Sequence, residues 1–278
     1  MKIINLIEDT EGVQGCAHAH GLSFYVETEK HKLLVDLGPS GETLRNAERL
    51  GIDLKEIDTV VLSHGHYDHS GGILPFIAIN NHADIYMQTT AGGEYYADDG
   101  IDAPGGRYRY IGIDPLILQL PQVQLIQGDH VIDEELQLIT IARRTHALPS
   151  TNRNLLVRRN GRFVRDDFAH EHFLVVSENG IHVLLSGCAH NGILSILDAY
   201  EEKCGGAPDA VVSGFHLMKK TPYNDRESRE IGKIAERLTG YPTKFFTCHC
   251  TGVPAYKKMR EICGEQLRYV HSGEKVLL

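Results

Sequence analysis

Short apolar runs rich in Val, Ile and Leu recur along the whole chain and are separated by Gly, Asn and Asp. Runs of this length with such boundaries are typical of strands. They predict strands at residues 22–26, 32–36, 59–62, 85–87, 138–141, 173–177, 182–186, 210–213, 244–248 and 267–270, and residues 1–8 also favour a strand.

Segments with the features of helices lie between some of these strands. Residues 41–50 and 225–238 have apolar positions at helical spacing, 192–200 follow a glycine turn, and 254–263 begin with a well-placed proline. Because strands and helices are mixed along the whole length, we predict an α/β (α+β) fold. Its expected form is a four-layer αββα sandwich, in which two mixed β-sheets pack face to face with helices outside.

Two polar segments interrupt this pattern. Residues 91–115 are rich in Gly and Tyr and predict a long loop or insertion of the kind that lines pockets. Residues 143–167 predict a hairpin with a solvated basic face, and a lid or a dimer contact is the alternative use of that hairpin. We therefore expect a single domain over residues 1–278 with insertions at about 91–115 and 143–167, and a homodimer stays open.

Composition and charge narrow the class of protein. The 278-residue chain is 42% hydrophobic, carries a net charge of -9 and has no long Lys/Arg block, which argues against nucleic acid as a partner. No apolar run reaches the roughly 18 residues of a membrane span, and the N-terminus lacks a secretory signal pattern. We expect no membrane partner and a cytoplasmic location. Six cysteines are too few for a disulfide framework, so reduced thiols are expected.

The strongest chemical signal is the loop at residues 63–72, which follows the predicted strand 59–62. It places His64, His66, Asp68 and His69 within six positions and ends in small residues. Imidazoles and carboxylates are the ligands that zinc and similar cations prefer. Side chains at alternate positions of an extended chain point the same way, so His64 and His66 can bind one ion while Asp68 and His69 turn toward a second.

A second segment repeats the plan of this loop. Residues 59–73 and 182–193 each have four strand residues ending in Ser, then a polar loop, then Gly-Ile opening a helix. Two such units could face each other across one pocket. Cys188 and His190 would then occupy the place that the His/Asp loop occupies in the first unit.

Two more predicted strands end at a histidine. His249 is a predicted ligand, whereas Cys248 and Cys250 alternate with it and are expected to be buried apolar side chains; a Cys-His-Cys chelate is the alternative. His216 is expected to hydrogen-bond its loop, to support a metal ligand or to bind substrate. Two lysines follow at residues 219–220 and could bind an anionic substrate.

The remaining histidines carry weaker signals. His20 is a functional candidate because Gly21 permits close approach, and with His18 it forms a second His-x-His pair that lacks a nearby acid or a third ligand. The others are expected to be surface or structural residues, with the segment 170–172, His-Glu-His, noted as an extra ligand source. They are His31, His82, His130, His146, His170, His172, His182 and His271.

These motifs together carry a family resemblance. The loop 63–72 resembles the signature of the metallo-β-lactamase-fold superfamily. With the segments 186–193, 213–217 and 248–252 in this order, the chain resembles the branch named after 7,8-dihydropterin-6-methyl-4-(β-D-ribofuranosyl)-aminobenzene-5'-phosphate synthase. The resemblance implies an αββα sandwich that holds one or two metal ions at the sheet edge. Two divalent ions, zinc before manganese or iron, are the expected cofactors.

The resemblance also implies roles for individual residues. The first metal would be bound by His64, His66 and His190, and the second by Asp68, His69 and His249. The bridging Asp expected after the strand 182–186 is replaced by Gly-Cys, so Cys188 and His190 are the candidates for the bridging position, and a weakly held second metal is the alternative.

The expected activity is that of a metal-dependent hydrolase. A water on the metal, acting as hydroxide, would attack a phosphate ester, thioester or related small substrate, which is expected to be anionic. Asp68 would orient the water and accept its proton, and His216 or His20 would donate a proton to the leaving group. The alternatives are a phosphoribosyl-type transferase, an iron redox enzyme and a non-catalytic ligand sensor.

Overall fold

Strands and helices are distributed along all 278 residues, which the computed structural model describes throughout. The strands are β1 (Lys2–Ile7), β2 (Ser23–Glu27), β3 (Lys32–Val35), β4 (Thr59–Val61), β5 (Asp84–Gln88), β6 (Tyr95–Asp98), β7 (Tyr108–Tyr110), β8 (Val123–Ile126), β9 (His130–Val131), β10 (Leu136–Thr140), β11 (Leu155–Arg159), β12 (Arg162–Arg165), β13 (His172–Glu178), β14 (Ile181–Ser186), β15 (Ala210–Ser213), β16 (Lys244–Thr247), β17 (Leu267–Tyr269) and β18 (Lys275–Val276). The helices are α1 (Glu42–Arg49), α2 (Tyr67–Ser70), α3 (Ile73–Ile77), α4 (Ile193–Cys204), α5 (Asp225–Leu238) and α6 (Val253–Cys263).

Two seven-stranded mixed sheets form the middle of the molecule. The first has the order β18-β1-β2-β3-β4-β5-β8, and the second has the order β17-β16-β15-β14-β13-β10-β9. In each sheet one side is antiparallel, and the other side, from β3 to β8 or from β14 to β17, is parallel. The two sheets are thus built to the same plan.

Three buried clusters separate the layers of the sandwich. One cluster lies between the sheets and draws on strands of both, such as Phe24 of β2 and Leu185 of β14. A second joins the outer face of the first sheet to α1 and α3, and a third joins the second sheet to α4, α5 and α6. The predicted four-layer αββα arrangement is therefore confirmed.

Helix α5 shows why the helical predictions succeed. Asn224 caps its first turn and forms a reciprocal capping box with Glu227, and Ile231, Ala235 and Leu238 bury one face. The predicted bounds 225–238 are those observed. Helix α4 runs four residues beyond the expected 192–200 and stops at Gly205, whose positive φ ends it.

The segment 91–115 is not only a loop, which corrects the prediction. It contains β6 and β7, and β6 pairs with β11 of the other predicted insertion, which gives a four-stranded sheet of order β12-β11-β6-β7. Alternate residues of β6, Tyr95 and Ala97, pack with Ile111 and Val157 in a small buried cluster. The many glycines and tyrosines of this segment obscure the alternation of buried and exposed positions in the sequence. That these segments are insertions stays a prediction.

The helices have a further property that bears on the membrane question. None of them combines the length and the apolar character needed to cross a bilayer.

Candidate metal centre

Polar side chains follow parallel strands of both large sheets and gather at one edge of the sandwich. The carboxyl ends of neighbouring parallel strands meet at the same edge, which is where α/β proteins place their ligands. The residues that leave these ends are Asp36 after β3, His64 and His66 after β4, Cys188 and His190 after β14, His216 after β15 and His249 after β16.

The two similar units, residues 59–73 and 182–193, face each other across this edge. A glycine permits the approach, because a Cβ on Gly187 would lie 2.2 Å from Ser63 Oγ and 2.9 Å from Asp36 Oδ2. The imidazoles of His64 and His190 consequently come within 3.3 Å of each other, measured between their Nε2 atoms.

His64, His66 and His190 form one compact group. Their ring centroids are 4.6 to 4.9 Å apart, and all three side chains are buried. Burial, together with neighbouring imidazoles, holds the pKa values of His64 and His190 well below the usual value and lowers that of His66 to about 3. The three rings are therefore neutral, as metal ligands must be.

Hydrogen bonds fix which ring nitrogen of each imidazole is free. Ser63 donates its hydroxyl to Asp36 (2.7 Å), so it accepts from Nδ1 of His64 (2.8 Å). Asn152 donates to the His190 carbonyl (2.7 Å), and its Oδ1 accepts from His190 Nδ1 (2.9 Å). Nε2 of both imidazoles thus carries a lone pair.

These lone pairs make the group fit a cation. The Nε2 atoms of His64 and His190 face each other, and that of His66 is buried without a partner. Such an arrangement is repulsive unless a positive ion lies between the nitrogens. Ligands about 2.1 Å from a tetrahedral zinc lie about 3.4 Å from one another, which matches the observed 3.3 Å.

A second group surrounds the carboxylate of Asp68. Nε2 of His249 lies 3.5 Å and that of His69 lies 3.7 Å from Asp68 Oδ2. His69 donates from Nδ1 to Asp36 Oδ2 (2.6 Å), and His249 is paired through Nδ1 with Asp9. Both imidazoles therefore present Nε2 toward Asp68.

Charge distinguishes this second group. Burial alone would raise the pKa of Asp68, but the imidazoles of His69 and His249 outweigh it and hold that pKa below the usual value. Burial alone would lower the pKa of His249, but the neighbouring Cys250 first, and then the hydrogen bonds to Asp68 and Asp9, raise it well above the usual value. The carboxylates of this second group thus stabilise positive charge beside them.

Cys188 lies between the two groups, at the place predicted for a bridging ligand. Its Sγ is 3.2 Å from His69 Nε2, and the ligand atoms of His64, His69 and Cys188 all lie within 4.8 Å of one another. Burial raises the pKa of the Cys188 thiol well above its usual value.

The placement of Cys250 corrects the prediction that it points away from the site. His249 has a left-handed backbone with φ of 47°, which ends the alternation of strand β16. Cys250 therefore turns toward Cys188, with its Sγ 3.6 Å from the Cys188 carbonyl oxygen, whereas Cys248 packs between the sheets as expected. The ligand atoms of Cys188, His249 and Cys250 also lie within 4.8 Å of one another.

The two predicted proton donors sit at the rim of this cluster. The His216 ring is 4.2 Å from that of His190, and its Nδ1 is 3.0 Å from Thr151 Oγ1. Burial first, and the charge of His249 second, lower the pKa of His216 to about 4, so it is neutral near pH 7. His20 Nε2 lies 3.6 Å from Asp68 Oδ2.

His170 is a structural residue, which is one of the two roles that the sequence suggested for it. It is fully buried, accepts a hydrogen bond from the Gly65 amide at Nδ1 (2.9 Å) and pairs with Asp166 through Nε2 (3.1 Å). Both ring nitrogens are therefore occupied. His170 holds the loop between His64 and His66 in place.

Several supporting residues were missed from the sequence. Asp36 ended a predicted strand and gave no other signal, and Asp9 and Asn152 lie far along the chain from the imidazoles they hold. Glu171 accepts from the backbone amides of His190 (2.6 Å) and Asn191 (2.8 Å). A carboxylate next to a histidine was the only hint of its role.

Comparison with known proteins agrees with the fold. The model of the metallo-beta-lactamase superfamily matches residues 19–148. A 7,8-dihydropterin-6-methyl-4-(beta-D-ribofuranosyl)-aminobenzene-5'-phosphate synthase from Methanocaldococcus jannaschii is 29% identical over 299 residues, covering 99% of this chain and 95% of the relative. An uncharacterized protein of the same organism is 25% identical over 284 residues, 98% of each chain.

Solved structures give the same result. The crystal structure of Tm1679, described as a metal-dependent hydrolase of the beta-lactamase superfamily, superimposes with a TM-score of 0.83 at 29% identity, covering 100% of this chain and 99% of the other. Zn(2+)-bound PqqB from Methylobacterium extorquens has a TM-score of 0.58 at 11% identity over 100% of both chains, a likeness of fold alone. The resemblance seen in the sequence is confirmed.

Proposed function

We propose that this chain, which has the metallo-β-lactamase fold, is a metal-dependent hydrolase of a small anionic substrate. One observation carries the proposal: the Nε2 atoms of His64 and His190 face each other at 3.3 Å with their lone pairs free, beside the partnerless Nε2 of His66. Superfamily members generally bind metals, and this group has the donor atoms that such binding requires.

Two sets of side chains would hold the ions. The first set is His64, His66 and His190; the second is built on Asp68, His69 and His249, with Cys188 between the two. A divalent cation supplies Lewis-acid charge and a nucleophile at neutral pH. Neutral imidazole donors suit zinc, and the carboxylate of the second set also suits manganese or iron.

The chain's own residues would position the reactants. Because the pKa of Asp68 is held low, its carboxylate is ionised and can orient a water molecule as a hydrogen-bond acceptor, although the same low pKa makes it a weak base. His216 is neutral and can serve as a hydrogen-bond donor or as a proton acceptor. Glu171 fixes the loop of His190 through two backbone amides and so keeps these groups in register.

A positively charged side chain at the rim of the site supports the proposal of an anionic substrate. Tyr67, next to Asp68 in the sequence and 38% exposed, lies beside the Arg109 side chain of strand β7. A guanidinium and a phenol at this place suit a phosphate or carboxylate group. Arg109 is paired with Asp99 (2.7 Å), so the substrate would compete with that ion pair.

A phosphoribosyl-type transferase is the second candidate function. The synthase relative, which matches nearly the whole chain, favours it. A hydrolase consumes substrate in water alone, whereas a transferase needs an acceptor. Turnover that depends strictly on an added aromatic acid together with a phosphoribosyl donor would decide for the transferase.

The central test is metal content together with activity. We expect the purified protein to contain zinc, manganese or iron by elemental analysis and to hydrolyse at least one class in a panel of phosphate esters, thioesters and lactones. His66→Ala should remove the metal of the first set and reduce the rate by at least about 100-fold, because the nucleophile depends on that ion.

His82→Ala is the matched control, since His82 is exposed and outside the cluster. It should retain both metal and rate. A wild-type protein that neither contains nor takes up a transition metal would contradict the proposal.

A further inference from the structure

The loop between β1 and β2 brings two side chains to the second group that are not part of its predicted ligand set. Asp9 and His20 lie at opposite ends of this loop, and both reach the imidazole of His249. The sequence suggested His20 as a proton donor. Its surroundings point to a different role.

One carboxylate orients two imidazoles. Asp9 Oδ1 is 2.8 Å from Nδ1 of His20, and its other oxygen is paired with Nδ1 of His249. The two rings are 5.0 Å apart, with 40° between their planes. A carboxylate on Nδ1 is the usual partner of a metal-binding histidine, because it fixes the tautomer and leaves a lone pair on Nε2.

Both of these Nε2 atoms face Asp68. Oδ2 of Asp68 lies 3.6 Å from Nε2 of His20, 3.5 Å from that of His249 and 3.7 Å from that of His69. These separations are too long for good hydrogen bonds. They are close to the roughly 3.4 Å between ligands of one tetrahedral zinc.

We propose that His20 is a metal ligand, and that it completes the second set as a site of three imidazoles and one carboxylate with His69, His249 and Asp68. Asp9 is the supporting carboxylate of two of these ligands. This inference rests on the proposed metal-dependent function and extends it.

The proposal separates the roles of the two sites. Four protein ligands would close the second set around its ion, as in structural zinc sites, whereas the three imidazoles of the first set would leave an open position. The side chain of His20 is 52% exposed, in contrast to the buried His69 and His249. His20 is thus the most exposed ligand of the second site.

The test measures the affinity for each equivalent of zinc by competition with a chromogenic chelator, with Co(II) absorption as a second readout. His66→Ala, which lacks a ligand of the first site, identifies the second equivalent. We expect His20→Ala to weaken the second equivalent by about 100-fold and to change its Co(II) spectrum, with the first equivalent unchanged. Asp9→Asn should weaken the second equivalent by about 10-fold.

His18→Ala is the matched control, because His18 is two positions away on the same loop and makes no side-chain hydrogen bond or ion pair. Circular dichroism and thermal unfolding check that each variant is folded. If His20→Ala leaves both affinities and the Co(II) spectrum as in the wild type, or weakens both equivalents alike, the inference is wrong. If the wild type takes up no metal at all, the proposed function itself fails.

Discussion

The two groups of imidazoles at the sheet edge differ in what holds them. In the first group the Nδ1 atoms of His64 and His190 bond to a hydroxyl and to an amide oxygen. In the second group Nδ1 of His69 and His249 bonds to a carboxylate, from Asp36 and Asp9. The imidazoles of the first group are thus held by neutral hydrogen-bond partners, and those of the second group by anionic ones. These partners are the supports of each group.

The pKa values of the imidazoles also differ between the two groups. The pKa of His190 is held well below its usual value by burial, whereas the pKa of His249 is raised well above it, first by the neighbouring Cys250 and then by the hydrogen bonds to Asp68 and Asp9, which outweigh burial. Carboxylate support makes an imidazole a stronger ligand. We therefore expect the second group to compensate the charge of its ion, and the first group to leave its ion more electrophilic and suited to chemistry.

Removing one anionic support should have the largest effect on this comparison. Asp36→Asn leaves one acceptor oxygen where the carboxylate has two. With that oxygen kept by the Ser63 amide, the NH2 group faces His69 Nδ1 and cannot accept from it, so the ring changes tautomer and Nε2 loses its lone pair. We expect the second zinc equivalent to weaken by about 100-fold, measured by chelator competition. Asn tolerates the left-handed backbone at this position, where φ is 59°.

Asp36 also accepts hydrogen bonds from the amide and the hydroxyl of Ser63, and Ser63 in turn holds His64. The substitution therefore affects the first group only indirectly. The first equivalent should change less than the second. An equal loss at both equivalents would show that the neutral and anionic supports are not distinct.

Removing a neutral support should have a smaller effect. Asn152→Ala deletes the acceptor of His190 Nδ1 and the donor to its carbonyl, which frees the ring to rotate but leaves no charge unpaired. We expect a loss of about 10-fold in affinity for the first zinc equivalent. Asn154→Ala, at an exposed position of the same turn, is the control and should match the wild type.

A larger loss in Asn152→Ala than in Asp36→Asn would reverse the comparison. Because Phe168 stacks on the His190 ring at 4.6 Å, packing keeps part of the ring's orientation. That contact is a reason for the smaller value.

The sequence predicted the ligands better than their supports. His64, His66, Asp68 and His69 could be found because they occupy one loop after an apolar strand. His190 and His249 could be found because each follows another such strand. Parallel strands carry their exits to one edge, so local pattern was enough to predict that these residues converge.

The supports depend on contacts between distant parts of the chain. Asp9 meets His249 across 240 positions, and Asn152 meets His190 across 38. A single carboxylate or amide in a loop has no periodic signal. Strands β6 and β7 were missed for a related reason. The partner of β6 is β11, which lies in the other polar segment, and Val157 of β11 helps to bury Tyr95 and Ala97 of β6.

The two ends of strand β3 extend the comparison from the site to the fold. Asp36 follows its carboxyl end, and His31 precedes its amino end. Nδ1 of His31 lies 2.8 Å from Asp58 Oδ1, and its Nε2 lies 2.6 Å from Oδ2 of Asp133, between β9 and β10 of the second sheet. Burial alone would lower the pKa of His31, but the hydrogen bonds to both carboxylates outweigh it and raise that pKa.

A raised folded-state pKa has a definite sign for stability. The contribution of His31 is fully present below its unfolded pKa of about 6.5 and is lost as the pH rises through the folded value. We expect His31→Asn to lower the free energy of unfolding by about 1 kcal/mol at pH 6 and by less at pH 9, measured by urea denaturation. Zinc affinity should stay unchanged, in contrast to Asp36→Asn. His82→Asn, with no ion pair, should show neither effect, and a His31 deficit that grows with pH would contradict the assignment.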